Sequence, residues 1–363
     1  MTARLTYLDY NASAPLLPEA ASAMAATFAM PGNPSSVHRS GRAARAAIED
    51  AREAVAALVN ATPAQVVFTS GATEANALAL MSGPVVASAV EHPSVLAWSE
   101  AEAIPVDGNG VADLGALEHR LKEFPPAVVA LMLANNETGV LQPVEEAAGL
   151  AHGCGARLHC DAVQGPGRVP VDFQALGADT LSLSAHKFGG PKGVGALILR
   201  PGLELPATVR GGGQERRRRA GTENLAGIAG FGAAALVAAD LVKNAPRVAA
   251  LRDALEARLA ALAPHARVFG QGAARLVNTS CIMLPGVSAE TQIMRLDLAH
   301  VQVSAGAACS SGKIAASHVL TAMGASEADA KYAIRVSLGP GTTEADIDAF
   351  FSAWLPLALT AAA

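Results

Sequence analysis

A lysine leading into a glycine-rich turn is the first chemically loaded feature of this chain: His186-Lys187 runs into Phe188-Gly189-Gly190-Pro191-Lys192-Gly193. An amine beside small residues that leave room for a ring suits Schiff-base chemistry, provided desolvation and a nearby cation keep it partly deprotonated. Asp161 precedes Lys187 by 26 residues and is followed by Gln164. A buried aspartate under a ring nitrogen is what a pyridine cofactor needs, because it keeps that nitrogen protonated and the ring electron-accepting. Taken singly, the lysine reads as a surface charge and Asp161 as a turn or helix cap. Their separation is one helix-and-strand unit, so both reach the same sheet edge, and the pair says more than its parts.

Three further segments carry candidate groups. Phe68-Thr69-Ser70-Gly71-Ala72-Thr73-Glu74 passes from a strand through a small-residue turn into a helix, where N–H groups and hydroxyls can hold a phosphate. An ordinary hydroxyl-capped turn is its plainer reading. Asn135-Asn136-Glu137 follows a strand that ends at Ala134. Cys309 lies in Ser304-Ala305-Gly306-Ala307-Ala308-Cys309-Ser310-Ser311-Gly312-Lys313, a run of small residues that suits a nucleophile which must move, with Lys313 near enough in sequence to favour the thiolate. Cys154, Cys160 and Cys281 read as small buried hydrophobes without metal-site spacing, so no metal is expected.

These groups need strand ends to position them. Residues 65 to 200 alternate short β-branched runs (Gln65–Thr69, Val85–Val90, Val128–Ala134, Ala156–Cys160, Thr180–Ser184, Val194–Arg200) with helical stretches such as Glu74–Met81 and Val144–His152. Several runs are apolar on both faces, as in a largely parallel sheet covered by helices. From Pro246 the character changes: Val248, Leu251, Leu255, Leu259 and Leu262 share one helix face, and a terminal helix follows Thr343. The expected division is a large domain over 14–245 and a smaller α+β domain made of 1–13 and 246–363.

Bulk properties exclude other classes. The 363 residues are 51% hydrophobic, 16% charged and only 4% aromatic, which describes a compact protein with a core of small aliphatic side chains. A net charge of −5 gives no nucleic-acid surface, and Arg216 to Arg219 reads as a solvated loop or local anion site. The apolar run Leu225 to Ala239 is shorter than the roughly 20 residues of a bilayer span and reads as a core helix. With no export signal in the sequence, the thiols are expected to be reduced and the protein cytoplasmic.

The ordered blocks resemble the cysteine desulfurases of the NifS/IscS type, within the class V aminotransferase family of fold type I. They are Tyr7-Leu8-Asp9-Tyr10-Asn11, Gly32 to His38, Thr69 to Glu74, Glu91-His92, Asn135 to Gly139, Asp161 to Gln164 and Ser184 to Lys187. Arg210 to Gly213, Ala220 to Asn224, Ala308 to Gly312 and Arg335 to Gly339 complete the series, which spans essentially the whole chain. Ala185 stands where many members have glycine, and Pro340-Gly341 where a bulkier or charged pair is frequent.

The resemblance implies a fold, a cofactor and roles. The fold would be a mostly parallel, seven-stranded-type sheet in the large domain with the cysteine loop on the smaller one. Lys187 would bind pyridoxal 5'-phosphate (PLP), Asp161 would pair with its ring nitrogen, Gln164 and Asn136 would face the ring oxygen, and His92 would stack over the ring and shuttle protons. Ala72, Thr73, Ser184 and His186 would hold the phosphate, joined by Thr222 from the other subunit of a homodimer. Arg335, with Asn11 and Asn136, would bind the substrate L-cysteine, and Cys309 would take its sulfur as a persulfide. An iron–sulfur scaffold or sulfur-carrier protein would then accept it. Another class V enzyme, such as an aminotransferase or selenocysteine lyase, and a silent subunit that only positions sulfur-transfer partners remain open on sequence alone.

Overall fold

The computed structural model describes residues 4–99, 103–124, 127–306 and 315–361; Cys309 and Lys313 lie outside them. Along the chain, strand β1 (Thr6–Tyr7) precedes helices α1 (Pro18–Phe28) and α2 (Arg39–Leu58), and β2 (Val66–Thr69) feeds α3 (Ala72–Leu80). Next come β3 (Val85–Ala87), α4 (Pro93–Leu96), α5 (Leu114–Glu123), β4 (Val128–Ala130), α6 (Val144–Gly153), β5 (Arg157–Asp161), β6 (Thr180–Ser184) and β7 (Gly195–Leu199). Helices α7 (Leu225–Leu241) and α8 (Ala245–Leu262) lead to β8 (Arg267–Phe269), β9 (Thr279–Met283), α9 (Ala289–Leu298), β10 (Val301–Gln302) and β11 (Ser304–Ala305). The chain closes with α10 (His318–Ala322), α11 (Glu327–Ala330), β12 (Ala333–Ser337) and α12 (Glu344–Ala361).

The large sheet has the order β2-β7-β6-β5-β4-β3. Strands β3, β4, β5 and β6 pair in parallel, while β7 is antiparallel to both β2 and β6. The reason is the connection: only Ala185 to Val194 separate β6 from β7, too few for a parallel crossover. Gly189 and Gly193, at φ +93° and +79°, supply the left-handed backbone of this turn. Six strands form the sheet among the described residues, and a seventh place beside β3 is marked by the parallel bridge from Ser88 to Ile104.

All strands of this sheet except β7 therefore point the same way, and their carboxyl ends share one edge. The small second sheet, β11-β12-β9-β8, is antiparallel, and β1 pairs in parallel with β10. One buried core runs from Ala20 to Ala238 around the large sheet; a second joins Leu8 to Val248, Ile282, Val336, Phe350 and Trp354.

Small residues set the helix spacing. A Cβ on Gly232 would lie 2.6 Å from the Cα of Ala51, so α7 and α2 meet closely only because glycine stands there. Phe231 on α7, fully buried against Phe68 and Phe188, contributes on the order of 2–3 kcal/mol of burial. By length and composition alone Leu225–Leu262 is apolar enough to cross a bilayer, but α7 buries Ile228, Phe231, Ala234, Ala235 and Ala238 in the core. On α8, Val248, Leu251, Leu255 and Leu259 are buried as their spacing predicts. Leu262 is not: at the last position of the helix it is 40% exposed.

Candidate active site

Five strand ends deliver their following residues to one cavity of 740 Å³. Ser70, Gly71, Ala72 and Thr73 follow β2, His92 follows β3, Asn136 follows β4, Asp161 ends β5, and Ser184, His186 and Lys187 follow from β6. The second sheet contributes Ser304 and Arg335, with Gly306 just after β11, and the amino-terminal segment contributes Asn11 and Ser13.

Lys187 sits in the β6–β7 hairpin turn, where its Nζ donates to the Asn11 carbonyl at 2.8 Å. Desolvation, with the positive charges of Arg335 and Arg168, lowers its pKa to about 8. That amine is readily deprotonated, as a nucleophile toward a carbonyl must be. Arg168, itself lowered to about 10 by burial, donates to the carbonyls of Gln164, Tyr10 and Lys187 and so ties three segments of the wall together. Ala185, before the His-Lys pair, is fully buried; a Cβ on Gly190 would lie 2.7 Å from its own Cβ, so the extra methyl is accommodated opposite a glycine.

Asp161 is 6% exposed; its Oδ2 accepts from Asn76 Nδ2 at 2.9 Å and its Oδ1 from the Val163 N–H at 3.1 Å. Gln164 donates from Nε2 to the Asn11 carbonyl at 3.1 Å, and its buried Oε1 has no protein partner. No side chain caps the amino end of α3, which leaves its first N–H groups to the cavity beside Thr73. His186, held low at about 4 by burial and then by Lys187 and Lys192, lies 3.3 Å from Ser13 Oγ. His92, on the open wall of the cavity, titrates below the usual imidazole range, mainly through desolvation of its charged form.

Arg335 is 5% exposed and donates to Asp9 Oδ1 at 2.8 Å and to the Asn136 carbonyl at 3.2 Å, while its Nε has no protein partner. Ser304 Oγ donates to the other Asp9 oxygen at 2.6 Å. Glu137 is buried, and its carboxyl is pushed up by desolvation. Its Oε2 accepts from Ser317 Oγ at 2.6 Å, and a Cβ on Gly306 would come within 2.2 Å of the same oxygen.

One expected residue is placed differently. Asn11 lines the cavity, but its side chain is committed to the scaffold: Nδ2 donates to the Asn136 carbonyl and Thr279 Oγ1, and Oδ1 accepts from Asn278. Thr222 does not line the cavity of its own chain; it borders a separate hollow with Thr69, Ser70, Gly193 and Glu223. Residues that motif reading passed over include Asp9, Asn76, Ser94, Arg168 and His318. Asp9 was within reach, since a carboxylate in a block that also holds Asn11 asks for a cationic partner. Nothing in the local pattern separates Asn76 or Arg168 from ordinary polar residues.

The largely parallel sheet, the lysine in its hairpin and the aspartate at the end of β5 accord with the class: the chain belongs to the class V aminotransferase family, which matches residues 6–350. Its curated relatives include the cysteine desulfurase of Cereibacter sphaeroides, 45% identical over 97% of this chain and 95% of that protein. Among solved structures, a NifS-like protein from Rickettsia africae superposes with a TM-score of 0.91 at 35% identity, covering 98% of this chain and 99% of that one. The structure of SspA in complex with cysteine matches with a TM-score of 0.80 at 29% identity, over 93% of this chain and all 100% of that one.

Proposed function

We propose that the chain is a PLP-dependent cysteine desulfurase. It converts L-cysteine and the Cys309 thiol into L-alanine and a Cys309 persulfide. The observation that carries this reading is the meeting of Lys187, Asp161 and Arg335 in one cavity, in a chain whose full-length relatives are cysteine desulfurases.

The cavity fits the cofactor. The uncapped amino end of α3, with Thr73, Ser184 and His186, would hold its phosphate. The partnerless Gln164 Oε1 marks an amide with capacity to spare beside the ring, Asn136 stands on the same wall, and Asp161 would bind the ring nitrogen. Lys187 is the amine that would hold the cofactor covalently. When bound, PLP supplies an electron-accepting ring that stabilises negative charge at the substrate Cα.

The protein groups supply the rest. Arg335, with a free Nε and a planar fork, receives the substrate carboxylate. Lys187, once released, moves a proton at Cα. His92, on the open wall of the cavity, would stack over the ring. The Cys309 thiolate attacks the substrate sulfur: an S–S bond forms, the C–S bond breaks, and the three-carbon fragment takes up protons to leave as alanine. The persulfide sulfur then passes to an iron–sulfur scaffold or a sulfur-carrier protein.

Residues 14–245 serve in this reading as the cofactor-binding domain, and 1–13 with 246–363 as the smaller domain that carries Cys309. The active unit is a homodimer in which Thr222 of a second copy reaches the phosphate, which accounts for its place outside its own cavity. The reaction is assigned to the cytoplasm, where the Cys309 thiol stays reduced.

The deciding experiment measures alanine released from L-cysteine in the presence of PLP and a reductant. The parent protein should release it, and Cys309→Ala should not while keeping its cofactor colour. No alanine from the parent, or equal alanine from the variant, overturns the reading.

A further inference from the structure

Asn76, fully buried on α3, has both amide protons and its carbonyl oxygen engaged in hydrogen bonds. Its Nδ2 donates both protons, one to Asp161 Oδ2 and one to Ser94 Oγ, each at 2.9 Å. Its Oδ1 lies 2.9 Å from His159 Nε2. The amide cannot be turned round, because an ionised carboxylate only accepts and so needs the nitrogen facing it.

Two histidine tautomers follow. Asn76 Oδ1 can only accept, so His159 carries its proton on Nε2, and its Nδ1 accepts from the Thr180 hydroxyl at 2.8 Å. Burial holds His159 neutral, with its pKa lowered to about 4. On the other arm, Ser94 Oγ takes an amide proton from Asn76 and has its own proton to give to His92 Nδ1 at 2.8 Å. The Ser94 backbone N–H, which can only donate, points to the same nitrogen at 3.1 Å. His92 Nδ1 is therefore an acceptor, and the proton of the neutral ring is on Nε2.

We propose that Asn76 is a positioning residue: one amide fixes the Asp161 carboxylate and, through Ser94, fixes His92 as the Nε2–H tautomer. In that state the only lone pair of the His92 ring is already engaged. The side chain acts toward a ligand as a hydrogen-bond donor and not as a base. Which reaction the cavity serves does not enter the tautomer assignment; only the use made of Asp161 and His92 rests on the desulfurase reading.

The test is nitrogen-15 NMR on histidine-labelled, cofactor-free protein, with the His92 signals identified by their loss in His92→Gln. The expected result is a protonated Nε2 and a hydrogen-bonded, unprotonated Nδ1. Ser94→Ala should move the Nδ1 resonance toward that of a free pyridine-type nitrogen while PLP binding holds within about twofold. Asn76→Leu should move it too and weaken PLP binding about tenfold, the loss of one hydrogen bond to a charged group. A proton on Nδ1 in the parent overturns the proposal. So does a folded Asn76→Leu protein with unchanged His92 resonances and PLP affinity, since a merely structural residue lowers the melting temperature and leaves those signals alone. If Asn76→Leu does not fold, an unmoved Nδ1 resonance in Ser94→Ala overturns it instead.

Discussion

Asp9 and Arg335 stand 326 residues apart in sequence and are joined by a 2.8 Å hydrogen bond between charged groups. The carboxylate is held in turn by Ser304 Oγ, so the guanidinium is aimed by a fixed partner. Arg335→Lys keeps the charge and loses the planar fork. It should raise KM for cysteine about tenfold or more with the cofactor absorbance unchanged. Asp9→Ala should raise KM in the same direction with kcat within about twofold, because it frees the arginine without removing it. Steady-state kinetics of alanine release check both.

The pKa of about 8 at Lys187 gives cofactor capture a definite pH course. The reactive form is the neutral amine, and its fraction grows as pH rises through that value. The rate at which added PLP develops colour in cofactor-free protein should climb from pH 7 to pH 9, half-maximal near 8. Arg168→Met removes a positive charge that lowers this pKa, so the midpoint should move to higher pH. A midpoint that stays put, measured by stopped-flow absorbance, contradicts the role given to Arg168.

Thiol reactivity should divide the four cysteines. Cys160 and Cys281 are fully buried, and desolvation raises both thiols. Cys154 is exposed. Iodoacetamide under native conditions should label Cys309 and Cys154 and spare the other two, as peptide mass spectrometry would reveal. Prior incubation with cysteine should protect Cys309 until a reductant is added.

Gly306 cannot carry a side chain without displacing Glu137, whose Oε2 is 2.2 Å from the position a Cβ would take. Gly306→Ala should destabilise the protein by about 1–3 kcal/mol in denaturant unfolding. Adding Glu137→Ala should recover part of the loss, because the clash is with that side chain.

Much of the cavity was legible because its residues follow strands, and strand ends announce themselves by turn chemistry. Asp161 and Lys187 stand out in that way, whereas the roles of Gln164 and Ser184 come from the family resemblance; all four line one cavity. The direction of β7 was not legible, since period-two patterning says nothing about which way a strand runs; only the shortness of the Ala185 to Val194 connection does. Leu262 fits the apolar periodicity of α8 yet lies at its exposed end, where the stripe has outrun the core. Asn76 and Arg168 escaped notice because their importance rests on partners 85 residues away for Asp161 and 158 for Tyr10, distances over which local spacing is silent.

The stitching of β1 to β10, of Asp9 to Ser337 and of Asn11 to Thr279 sets an order of events during synthesis. The segment around β1 cannot take its final place until β10 and β12, made much later, have been synthesised. Lys187 loses its Asn11 carbonyl partner, and Arg335 its carboxylate, for as long as that wait lasts. A nascent chain can fold its large sheet early, but the cavity is finished only after β12 has been made.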